Sequence, residues 1–88
     1  SKMAPYRIEW RSSTKKDLRK IGSQDRLRII AAVEQLTAEP FPSGCSKLSG
    51  SERSYRIRTG NYRILYDVHS GHLVIEVIKV GHRKDVYR

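Results

Sequence analysis

The chain is expected to fold as an α+β domain: one strand, a two-helix hairpin, then a three-stranded antiparallel meander, with the helices on one sheet face. Three observations carry this expectation. Ile29, Ile30, Val33 and Leu36 recur at helical spacing, and three segments after residue 53 carry strand-type alternation. The turn signals between those segments, Gly60-Asn61 and Ser70-Gly71, are too short for a parallel crossover and specify hairpins.

Each element has its own justification. Over residues 5–10, Tyr6, Ile8 and Trp10 alternate with Arg7 and Glu9, which predicts a short strand with one buried face. Ser12, Ser13 or Thr14 can cap a helix over residues 15–21 that stops at Gly22. Ser23 is a second N-cap candidate, with Asp25 in the first turn. That helix runs to about residue 38 and is closed by Pro40 and Pro42. Its apolar stripe faces a sheet, while Arg28, Gln35 and Glu39 lie opposite. Residues 41–53, rich in Gly and Ser, read as a connecting loop, and strands are expected over 54–59, 62–68 and 73–80. Tyr62, Ile64, Tyr66 and Val68 share one strand face and are expected in the core with Tyr6 and Trp10; Tyr55 is expected to be half-buried.

Composition bounds the function. A chain of 88 residues is expected to form one domain with a single small core. Hydrophobic content of 38% against 31% charged fits a compact fold and excludes wholesale disorder. The net charge of +9 favours polyanionic partners, nucleic acid first. Lone Cys45 cannot form an intramolecular disulfide, and no apolar run reaches membrane-spanning length, so a cytoplasmic protein without a membrane partner is expected. His69 and His72 flank the Ser70-Gly71 turn without an evident Cys or carboxylate constellation, so no metal or cofactor is expected. Asp67 and Glu76 are expected to pair with basic strand neighbours. Arg7, Lys15, Lys16, Arg19, Lys20, Arg26 and Arg28 read as solvated charge.

The most informative feature is an arginine set in the last third: Arg56, Arg58, Arg63 and Arg83, followed by Tyr87. Alternation projects Arg56 and Arg58 together, away from Tyr55 and Ile57. Guanidinium groups grip two phosphate oxygens at once and can stabilise the charge that builds during transfer at a phosphodiester. A tyrosine can stack on a base.

The motifs Lys47-Leu48-Ser49-Gly50, Tyr55-Arg56-Ile57-Arg58, Gly60-Asn61-Tyr62-Arg63-Ile64-Leu65-Tyr66 and Val80-Gly81-His82-Arg83-Lys84-Asp85-Val86-Tyr87 give the chain a resemblance. It resembles the RelE/ParE toxin superfamily over nearly its whole length, and within it the RelE-like mRNA interferases. The resemblance implies a toxin of a type II toxin-antitoxin system, held inactive by a cognate antitoxin. It implies a metal-free endoribonuclease that cleaves messenger in the ribosomal A site and inhibits translation, the 2′-hydroxyl attacking to leave a 2′,3′-cyclic phosphate. The matching catalytic positions are Arg58, Arg63, Arg83 and Tyr87, with Arg56, His82 and Lys84 as RNA-binding residues. Relatives can carry lysine, proposed as general base, where Arg56 and Arg58 stand. An arginine stays protonated at neutral pH, which leaves charge stabilisation and positioning as its chemistry and His82 as the alternative base. The other readings of this fold are a ParE-like inhibitor of DNA gyrase and a non-catalytic basic RNA-binding module.

Overall fold

The computed structural model describes residues 5–82, and the expected α+β class is the one observed. The elements are β1 (Arg7–Trp10), α1 (Ser12–Arg19), α2 (Ser23–Gln35), β2 (Ser46–Lys47), β3 (Ser54–Thr59), β4 (Tyr62–His69) and β5 (Val74–His82). The strands form one five-stranded sheet in the order β1-β5-β4-β3-β2. The late strands are antiparallel as expected, whereas β1 pairs parallel with β5, Arg7 opposite Val74 through Trp10 opposite Val77. The chain from α1 through β4 supplies the long crossover that a parallel pair needs. The presumed loop contains β2, whose two residues are too few to show a period.

Both helices pack on one sheet face. Ile29 and Val33 of α2, Leu36 at its C-cap and Leu18 of α1 are buried against Ile57, Ile64, Tyr66, Val68, Ile75, Val77 and Val80. Tyr55 is half-buried as expected, whereas Tyr6, Trp10 and Tyr62, expected in the core, are only partly buried at its margin, and Ile30 is likewise half-buried. Tyr66 is fully buried and donates its hydroxyl to the Pro40 carbonyl at 2.8 Å, tying β4 to the segment after α2. Burial pushes its phenol well above the ordinary range.

The serine and threonine cap assignments are corrected. Arg11 and Gly22 occupy the N-cap positions, neither helix has a side-chain cap, and Ser12 and Ser23 open the helices themselves. The hydroxyl of Thr14 is committed elsewhere: it is fully buried and donates to the Val77 carbonyl at 3.0 Å, fastening α1 to β5. Thr14→Val, which keeps the volume and removes the donor, is expected to cost about 1–2 kcal/mol in urea-denaturation stability. A change below a few tenths would show that this bond contributes nothing net. Arg26, expected as solvated charge, instead reaches the carbonyls of Leu18 and Ile21 at 3.4 and 3.5 Å, near the end of α1.

Two backbone irregularities shape β4 and β5. Gly60 takes φ 59° in the first hairpin, which costs glycine nothing. In the second turn it is Leu73, rather than Gly71, that takes a positive φ, 57°. Within the β4–β5 ladder, Leu65 pairs with Lys79 but Tyr66 pairs with Val77, so Ile78 is an extra residue in a β-bulge. The bulge reverses the phase of β5 and lets Val77 and Val80 both face the core.

Candidate nucleic-acid interface

The sheet register assembles the arginines in rows. Arg58 lies directly opposite Arg63, which lies opposite Gly81; in the next row Arg56 is opposite Leu65 and Leu65 opposite Lys79. Their partners in alternation, Ile57, Ile64 and Val80, are buried under the helices. The rows therefore occupy the face away from α1 and α2. Side chains directly opposite in such a ladder start about 4.5–5.5 Å apart, so Arg58 and Arg63 can address one phosphate group together. Gly81 contributes no side chain beside Arg63, which keeps that position open to a ligand.

Arg58 is exposed, while Arg56 and Arg63 are half-buried, their stems lying along the sheet. Beyond Arg56 the edge of β3 is not covered by β2. There Arg58 also rims a groove of about 440 Å³ whose walls include Ala32, Leu36, Pro42 and Ile57.

His82 is separated from this group. It pairs with Tyr62, their rings meet edge-on at 5.7 Å, and both border a cleft with Asp17, Lys20 and Ile21 of α1 and the segment after it. Its imidazole thus lies on the helix-bearing side of the sheet. As a base for chemistry at Arg58 and Arg63 it is on the wrong side, because the bulge at Ile78 shifts the alternation. Arg83, Lys84 and Tyr87 lie outside the described residues.

Lys79 is the residue that sequence reasoning missed. It is exposed, opposite Leu65 on the arginine face and diagonal to Arg63, within reach of a long side chain. Strict alternation from Ile75 and Val77 assigns it to the core side. The apolar Val80 that follows is the signal that the phase had shifted.

At the other end of the same face the residues are acidic. Glu76 accepts from Arg11 Nε at 2.8 Å and lies 3.1 Å from His69 Nε2; Asp67 accepts from the Ser54 hydroxyl. The Arg11 guanidinium, and then the His69 imidazole, hold the Glu76 carboxyl below the ordinary carboxylate range. The expected ion pairing is present for Glu76. For Asp67 the partner is a serine instead. The expectation that His69 has no carboxylates nearby is corrected: Asp67 shares its face two residues back on β4, and pairing with β5 brings Glu76 to both.

Residues 8–87 match the family model described as the ParE toxin of the type II toxin-antitoxin system parDE. The chain belongs to this family. It is a toxin of the RelE/ParE superfamily, with RelE toxins among its relatives. It is 30% identical to toxin RelG of Mycobacterium tuberculosis, over 96% of this chain and 98% of that one. Its fold is similar to that of RelE in the archaeal RelE-RelB complex of Pyrococcus horikoshii, with a TM-score of 0.81 and 28% identity over 93% of this chain and 99% of the other. The isolated E. coli RelE toxin is also similar, with a TM-score of 0.78 and 28% identity over 88% of this chain and 83% of the other.

Proposed function

We propose that this toxin is a ribosome-dependent endoribonuclease that cleaves messenger RNA in the A site and is neutralised by a cognate antitoxin. The observation that carries the reading is the directly opposed Arg58–Arg63 pair on the helix-free sheet face, with Arg56 and Lys79 in the adjacent row. Two guanidinium groups converging on one phosphodiester stabilise the charge that develops as the 2′-hydroxyl attacks. The 2′-hydroxyl gives up its proton to water as its bond to phosphorus forms, the bond to the 5′-oxygen breaks, and the departing 5′-oxygen takes up a proton from water. The products are a 2′,3′-cyclic phosphate and a 5′-hydroxyl. Arg83 and Tyr87 complete the proposed catalytic set, the first by charge and the second by stacking on a nucleotide. The remaining positive surface, at a net charge of +9, suits contact with ribosomal RNA in the cytoplasm. The antitoxin reading is supported by relatives solved as RelE-RelB complexes, among them those of P. horikoshii and E. coli.

The test is primer extension on a translating messenger with purified protein. The expected result is cleavage within A-site codons, lost in Arg83→Ala. The match to a ParE model favours one other reading, inhibition of DNA gyrase. Intact messenger together with impaired supercoiling would establish that reading in place of this one.

A further inference from the structure

Asp67 and Glu76 lie directly opposite each other on β4 and β5, and His69 follows Asp67 by two residues on the same strand. The pleat therefore turns all three side chains to one face. One ligating atom from each residue lies within 4.8 Å of the other two. Directly opposed carboxylates repel; Arg11 offsets this at Glu76, while Asp67 is met by the neutral Ser54 hydroxyl. Each carboxylate is also fixed through one oxygen by a group outside the cluster, and the 3.1 Å contact between Glu76 Oε1 and His69 Nε2 is the one a bound ion would replace. Glu76 uses Oε2 for Arg11 and turns Oε1 to His69; Asp67 uses Oδ1 for Ser54, leaving Oδ2. Such outer hydrogen bonds are how carboxylate ligands of metal ions are oriented.

We propose that Asp67, His69 and Glu76 form a binding site for a divalent transition metal ion, with Zn²⁺ the ion best matched. An imidazole nitrogen with two carboxylate oxygens suits zinc, and the hard, oxygen-seeking Mg²⁺ and Ca²⁺ far less. Three protein ligands leave the fourth tetrahedral position to water. His69 and Glu76 are 24% and 26% exposed, and a cleft of about 370 Å³ lined by Arg7, Glu9, His69 and His72 gives an ion a route in. The site is four residues along β4 from Arg63, about 13 Å, so it stands apart from the arginine rows. A bound ion bridges β4 to β5, and Arg11, held on Glu76, carries the link to the end of β1. The ion's role is to brace the sheet, with no part in RNA cleavage.

The test uses tag-free protein stripped with chelator and titrated with ZnCl₂ by calorimetry and thermal melting, with MgCl₂ as control. A single zinc ion per chain and a raised Tm are expected, with no response to magnesium. Asp67→Asn keeps the Ser54 partner and the volume, and His69→Gln keeps a polar side chain; each is expected to weaken zinc binding at least ~10-fold. His72→Ala and Cys45→Ser are expected to leave it unchanged. Circular dichroism confirms that the variants are folded. The proposal is overturned if the wild-type chain does not bind zinc, if both site substitutions leave affinity intact, or if binding is lost in Cys45→Ser instead. None of these outcomes bears on messenger cleavage, which primer extension reads separately.

Discussion

Arg63→Ala is expected to slow messenger cleavage by on the order of 10²–10³, while the protein stays folded and still binds its antitoxin. Arg63 stands on the middle of the three strands, opposite Arg58 and diagonal to Arg56 and Lys79, so its loss removes the cation that adjoins the other three. Arg63→Lys is the informative companion. Lysine restores the charge but not the planar fork, so activity intermediate between alanine and wild type is expected if bidentate contact matters. Full rescue by lysine would reduce the role of Arg63 to simple electrostatics. Single-turnover kinetics on programmed ribosomes separate the two effects: lost phosphate binding raises the toxin concentration needed, and lost charge stabilisation lowers the maximal rate. If alanine at this position leaves the rate within about twofold, the arginine rows are not the cleavage site.

Tyr66→Ala is expected to be the most damaging single change to stability, about 3–5 kcal/mol by comparison with aromatic truncations in other cores. A domain of this size commonly has only about 5–15 kcal/mol in total, so much of the population unfolds under mild denaturant. Tyr66 is fully buried, stacks beside Tyr55 with ring centroids 6.0 Å apart, and donates to Pro40. Tyr66→Phe separates the contributions. It keeps the ring and leaves the Pro40 carbonyl without its donor, for an expected cost of about 1–2 kcal/mol. Urea denaturation of both variants gives the comparison. Equal losses in the two variants would mean that the hydroxyl, rather than the ring, holds this part of the core together.

Much of the fold is legible in the residues because local chemistry dictates it. Strand β3 occupies the expected residues 54–59, since Ile57 between two arginines leaves little choice of face. The helical stripe of α2 is buried as its spacing requires, except at Ile30, which is half-buried beside an open cleft lined by Trp10, Lys15 and Leu18. Helix caps were less legible. A threonine before a helix can cap it or bond across to another element, and only the nearby Val77 carbonyl decides for Thr14. Strand β2 and the parallel pairing of β1 are long-range choices that no local period encodes.

The candidate site divides in the same way. By itself the sequence determined the composition of the arginine set, the face shared by Arg56 and Arg58, and the resemblance that implied a toxin. These depend on residue identity and on a period of two. Tertiary structure alone decided that Arg58 stands opposite Arg63, that Lys79 joins them and that His82 does not. It also brought Glu76, from β5, to Asp67 and His69 on β4. The physical reason is register. The bulge at Ile78 is set by how β5 fits against β4 and beneath the helices, and one extra residue moves every later side chain of that strand to the opposite face.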